Sequence, residues 1–156
     1  MEIIDAVAHI GITVEDLERS VKFYCENFGF NYLRGAHFSR PFFEKNHSLY
    51  HLSPETTQCH TAVLESPDHN MQLELFRFTN HLAPEQTPWN RCGFTHFAMT
   101  TSDVPSMVAQ LQKNNVEFCI DMDVRPDGGH WVFVRDPDGN LIEIMEPFRF
   151  KQSQQL

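Results

Sequence analysis

The sequence predicts an α+β fold built from two βαβββ modules. Three observations carry that prediction. The first is a hairpin near the C-terminal end, Trp131-Val-Phe-Val-Arg-Asp-Pro-Asp-Gly-Asn-Leu-Ile-Glu-Ile-Met-Glu146. Its first arm is β-branched and aromatic, Asp138-Gly139 supplies turn chemistry, and Leu141 to Met145 forms the return strand. The second is an earlier echo: Ser66-Pro-Asp-His-Asn70 and the strand after it repeat Asp136-Pro-Asp-Gly-Asn140 and its return strand. The third is a shift of 87 residues that lays Gly93-Phe-Thr-His-Phe-Ala-Met-Thr100 over Ala6-Val-Ala-His-Ile-Gly-Ile-Thr13. The same shift superposes His96 on His9, Asp103 on Asp16, Val108 on Val21 and Leu111 on Tyr24. A repeat this long is a duplicated module rather than an array of short units.

Taken in order, residues 3–13 are short, apolar and β-capable, with His9 among them. Asp16 reads as an N-cap, and Leu17, Val21, Tyr24 and Phe28 recur at helical spacing up to Gly29, a natural stop. A strand is expected at about Phe30 to His37, then an excursion to residue 58 rich in Phe38, Phe42, Phe43, His47 and Tyr50. That stretch reads as a loop or a helical turn, serving either as a substrate wall or as packing. Strands resume at His60 to Glu65 and Met71 to Phe78. The predicted organisation is a first module over residues 1–80, a linker over 81–91, a second module over 92–148 and a tail over 149–156.

The 156 residues, 41% of them hydrophobic, suffice for one domain or two small modules. No run reaches the roughly 18 apolar residues of a membrane helix, and no signal peptide precedes Ile3, so a cytoplasmic protein is expected. A formal charge of −9 argues against nucleic acid or an anionic membrane as partner. Cys25, Cys59, Cys92 and Cys119 show no C-x-x-C spacing and read as reduced thiols.

Each return strand carries one carboxylate among apolar neighbours: Glu74 in Leu73-Glu-Leu75 and Glu143 in Ile142-Glu-Ile144. A carboxylate so placed must face solvent or meet a partner. Alone, a strand histidine or glutamate is more often a packing or surface residue than a ligand. Four at matching places in two related modules are hard to explain as independent accidents. If the modules face each other across an approximate two-fold axis, His9, Glu74, His96 and Glu143 converge as a site for one divalent metal. Imidazole plus carboxylate leaves Zn, Ni, Co, Mn and Fe(II) open.

His9-Ile-Gly-Ile-Thr-Val-Glu-Asp-Leu17, Phe23-Tyr24 with Phe28-Gly29-Phe30, and Arg135-Asp-Pro-Asp-Gly-Asn-Leu-Ile-Glu143 resemble the vicinal oxygen chelate superfamily. That superfamily includes glyoxalase I, methylmalonyl-CoA epimerase, fosfomycin and bleomycin resistance proteins, and extradiol dioxygenases. The resemblance implies an open, barrel-like mixed sheet around a central metal cleft, with His9, Glu74, His96 and Glu143 as metal ligands. It also implies proton transfer next to a chelated carbonyl, with Glu143 or Glu74 as base and a mild preference for Glu143. Glutamate at position 74 resembles glyoxalase I, whereas the epimerase would place glutamine there. Leu75-Phe-Arg-Phe-Thr79 departs from glyoxalase I, which points away from glutathione conjugates. The implied function is a lyase or isomerase acting on a small α-oxo substrate or its adduct, as a homodimer. The alternatives are an Fe(II)-dependent extradiol-type dioxygenase and a non-catalytic binding or resistance protein. His60, His69 and His130 are weaker candidates for lining the site, and Arg77, three positions beyond Glu74, belongs to the opposite face.

Overall fold

Two aspartates start the two principal helices, as their positions in the sequence predict. In a computed structural model of the chain, which describes residues 6–83 and 89–148, Asp16 is extended and its carboxylate accepts the Arg19 N–H at 3.0 Å. Helix α1 (Leu17–Phe28) follows and ends at Gly29, whose φ of 71° is the left-handed conformation that glycine adopts without a Cβ penalty. In the second half Asp103 accepts the Ser106 N–H at 2.9 Å and starts α4 (Val104–Lys113). Its bonds to the Ser106 hydroxyl and N–H hold the Asp103 carboxyl below the usual carboxylate range.

The chain divides into two units, Met1–Ala83 and Pro84–Leu156. In the first, β1 (His9–Thr13), β2 (Asn31–Phe38), β3 (Cys59–Glu65) and β4 (Gln72–Phe78) form one sheet in the order β1-β4-β3-β2. The β1–β4 pair is parallel, and the others are antiparallel. In the second, β5 (Phe97–Thr100), β6 (Glu117–Phe118), β8 (His130–Arg135) and β9 (Leu141–Met145) run β5-β9-β8-β6, with β7 (Asp123–Val124) also paired to β8. Here β5–β9 is the parallel pair. Each unit therefore has an open mixed sheet, one of four strands and one of five, and neither is a closed barrel. Among the described residues no helix is long and apolar enough to cross a membrane.

Period two assigns the faces. Leu73, Leu75, Leu64 and Ala62 are buried on one face of the first sheet, and Tyr24 of α1 is fully buried. In the second unit Ile142, Ile144, Val132 and Val134 are buried on one face, and Leu111 of α4 is fully buried. Tyr24 and Leu111 are the residues that the repeat superposes, so the duplication extends to the core. Leu111→Ala should cost about 2–5 kcal/mol through lost burial and a residual cavity. Urea denaturation measures this, and an unchanged midpoint would contradict the packing described here.

The excursion after β2 holds two short helices, α2 (Arg40–Lys45) and α3 (His47–Tyr50). Their aromatics pack on one another and on the sheet: Phe38 stacks on Phe42 at 4.2 Å, and Phe43, fully buried, meets Tyr50 at 5.5 Å and Phe78 at 6.3 Å. Phe78 shares a face with Glu74, so this segment covers the Glu74 face at the far end of β4. Burial raises the Tyr50 phenol above its usual value, and the Cys59 and Glu74 charges add to that.

The turn before each return strand is built from side-chain bonds to backbone. Asp136 Oδ1 accepts the N–H groups of Asp138 and Asn140 at 3.0 and 2.8 Å. In the first copy Asp68 Oδ1 accepts from Asn70 N–H at 3.2 Å and from the Ser66 hydroxyl at 2.6 Å. Gly139 and His69 both take positive φ, 85° and 60°. The predicted tight hairpin turn is thus a five-residue loop, Asp136 to Asn140, between β8 and β9. The predicted tail, 149–156, and residues 84–88 of the predicted linker lie outside the described residues.

Candidate metal centre

Both units bring a histidine onto a glutamate in the same way. On β1, Gly11 pairs with Glu74 across the parallel ladder, and His9 lies two residues earlier on the same face. In the second unit Ala98 pairs with Glu143, and His96 again lies two residues earlier. His9 is the first residue of β1, whereas His96 falls one residue before β5 rather than within it. The resulting distances are similar: His9 Nε2 to Glu74 Oε2 is 3.5 Å, and His96 Nε2 to Glu143 Oε2 is 3.3 Å. The residue beside each glutamate is small. A Cβ on Gly11 would meet the Phe76 ring at 3.2 Å, a tight contact that a small shift of the ring would relieve.

The glutamates lie on the opposite face of each sheet from their buried neighbours. Leu73 and Leu75 are fully buried on the opposite face of the first sheet, as are Ile142 and Ile144 in the second. The two pairs differ in enclosure. His9 and Glu74 side chains are 52% and 25% exposed, His96 and Glu143 only 24% and 17%. Aromatics account for much of that difference. The Phe133 ring, whose residue pairs with Glu143 across the ladder, meets the His96 ring edge-on at 5.0 Å. Trp89 lies 5.3 Å from His96 and 5.4 Å from Phe133. On the other side of the imidazole, His96 Nδ1 is 2.9 Å from Thr95 Oγ1. Sequence reasoning missed Thr95, Trp89 and Phe133 as site residues. The one available signal was a hydroxyl residue immediately before the repeated histidine.

Of the four sequence-predicted ligands, each unit gathers two. Within either unit the described residues bring no third His, Cys, Asp or Glu to the pair. Burial pushes the Cys59 thiol up to about 11.

The weaker candidates have other partners. His69 Nδ1 lies 2.6 Å from Glu65 and His130 Nδ1 lies 3.0 Å from Glu146. His130 alternates with Trp131 and Phe133 and so faces away from Glu143, while His60 faces away from Glu74 and stacks on His37 at 4.5 Å. Arg77 is on that same opposite face, directly across from His60. It lines a depression of about 670 Å³ with Glu15, Asp16, Leu17, Glu18, Arg19 and His60. This hollow contains neither His9 nor Glu74. Two of its three acids are engaged locally, Asp16 as the helix cap and Glu15 with Arg19 at 3.7 Å.

Two units that repeat one parallel register beside an open mixed sheet define a duplicated α+β fold. The profile of the Glyoxalase/Bleomycin resistance protein/Dioxygenase superfamily matches residues 6–144, and the chain belongs to that superfamily. Among sequence relatives, a putative lactoylglutathione lyase of Brassica oleracea is 28% identical over 139 residues, 88% of this chain. The chain spans 43% of that relative's length, less than half. Among solved structures, a glyoxalase family protein of Bacillus cereus has the same fold, with a TM-score of 0.76 at 23% identity over 93% of this chain and 95% of that one. The trypanothione-dependent glyoxalase I of Leishmania major gives a TM-score of 0.64 at 26% identity, covering 92% of this chain and 87% of that one. The superfamily thus includes enzymes, and the fold read from the sequence is the fold of its members.

Proposed function

We propose that the chain is a metal-dependent lyase or isomerase of the glyoxalase-like type, acting on a small α-oxo substrate or its adduct. The observation that supports it most is the repeated His–Glu pair, placed by the same register in both units. The donor chemistry fits a divalent cation. Neutral imidazole nitrogens and carboxylate oxygens suit Zn, Ni, Co, Mn or Fe(II), and each pair presents one of each within 3.5 Å. On this reading His9, Glu74, His96 and Glu143 are the metal ligands. Once bound, the ion supplies Lewis-acid stabilisation of the negative charge that develops on a substrate oxygen.

The protein's own part is proton movement. Glu143 takes the proton from the carbon next to the carbonyl, the C–H electron pair passing to the carbonyl oxygen as an enolate. It then returns a proton to that enolate, so one carboxylate acts as base and then as acid. Its low exposure and the aromatic cover of Trp89 and Phe133 limit competition from bulk water. Glu74, more exposed in the matching position, is the second candidate for the same role. The reading includes a homodimer as the working form, which sedimentation analysis tests.

Metal binding has a built-in reporter. The chain has two tryptophans, and Trp89 lies 5.3 Å from the His96 ring. Adding Ni(II) or Co(II) should quench indole emission, and Trp89→Phe should remove most of the quench. Trp131 also packs on Phe133, at 5.6 Å, so Trp89→Phe is compared with Trp131→Phe, in which Trp89 alone reports. A Trp131→Phe protein whose emission is not quenched would place the ion elsewhere. The reaction itself is tested by turnover of a dicarbonyl–thiol adduct in deuterated water. Deuterium in the product or recovered substrate supports proton transfer. Ring cleavage of a catechol with Fe(II) and oxygen would replace this reading with the dioxygenase, and binding without turnover would replace it with the sequestering protein.

A further inference from the structure

The two His–Glu pairs share a register but not a second contact. His96 Nδ1 lies 2.9 Å from the Thr95 hydroxyl. The 87-residue shift puts Ala8, which has no hydroxyl, at the equivalent place before His9. A neutral imidazole carries its proton on only one nitrogen, and the other is an acceptor. Without a cation, Nε2 faces the Glu143 carboxylate at 3.3 Å, an acceptor, which favours the proton on Nε2. Nδ1 is then a lone pair that takes a hydrogen bond from the Thr95 O–H. To ligate through Nε2, His96 must present a lone pair there and carry its proton on Nδ1. Nδ1–H then donates to Thr95 Oγ1. A hydroxyl serves both states, because it donates or accepts by rotating about one bond. A carbonyl or an amide N–H in its place would serve only one. Phe133 and Trp89 already flank the ring, so Thr95 acts on an imidazole whose plane is restrained.

We propose that Thr95 is a positioning residue for His96, a hydroxyl partner that accommodates both imidazole tautomers and makes the second unit's pair the pre-oriented half of the centre. The proposal rests on the metal-centre reading. It deepens that reading by naming the residue that couples ligand orientation to cation binding.

The test compares wild type, Thr95→Val and Thr95→Ser, using Ni(II) binding by calorimetry and nitrogen NMR of labelled imidazole. Calorimetry should show about a 10–100-fold weaker affinity for Thr95→Val, with Thr95→Ser close to wild type. Diamagnetic Zn(II) serves for the NMR, where His96 should change from the Nε2–H to the Nδ1–H form on loading. Circular dichroism confirms that the variants are folded. A wild type that binds neither ion would overturn the metal-centre reading itself. A wild type that binds, with Thr95→Val matching it in affinity and tautomer, would overturn only the role of Thr95.

Discussion

Glu143→Gln is expected to lower turnover by about 10²–10⁴-fold, the range that a positioned general base contributes. The substitution keeps the shape of the side chain and one ligating oxygen while removing the basic carboxylate. Metal content should therefore stay much closer to wild type than activity does, and that separation identifies a base. Equal loss of metal and activity would make Glu143 a ligand only. Unchanged turnover would remove it from the mechanism. Glu74→Gln is the matched control. If Glu143 is the base, Glu74→Gln lowers activity less, because the second unit holds the more enclosed pair, 17% exposed against 25% at the carboxylate.

His96→Ala is expected to weaken metal binding by more than about 100-fold, beyond what loss of an outer partner costs. His9→Ala should weaken it less. His96 is flanked by Phe133 and Trp89 and bonded to Thr95, so little of its freedom is left to lose on binding. The His9 ring is half exposed and has no hydroxyl partner before it. Calorimetry on both variants measures the order. A larger loss in His9→Ala would show that pre-orientation does not set the contribution of each half.

Much of the fold was legible because its signals are local. The caps at Asp16 and Asp103, the stop at Gly29, and the alternation around Glu74 and Glu143 are each read within a few residues. The repeat then multiplied their weight, since matching places in two copies share one structural cause. The strand expected at Phe30 to His37 forms one residue later, at Asn31–Phe38, within the usual uncertainty of element ends.

The excursion was harder. Helices α2 and α3 are six and four residues long, too short for helical periodicity to declare itself. Phe43 packs on Tyr50 of the next helix and on Phe78, which is distant in sequence. The two-residue strands β6 and β7 are likewise defined by pairing with β8 and by nothing in their own composition.

At the site, the sequence offered the four ligand candidates but not what surrounds them. Trp89 sits in a stretch read as linker, and its place beside His96 depends on the path of the chain before β5. Thr95 looks like an ordinary strand residue until its hydroxyl is seen at Nδ1. His69 and His130 shared the residue type of the ligands, yet their partners Glu65 and Glu146 lie at strand ends.

On the proposed reading His9, Glu74, His96 and Glu143 are metal ligands. Mass-spectrometric metal analysis of protein purified without a metal-affinity tag, for wild type beside His96→Ala, tests it most directly. The expected result is about one transition-metal ion per chain in the wild type, lost in the variant. No stoichiometric metal in the wild type, even after reconstitution, would contradict it and would leave these four side chains a structural role.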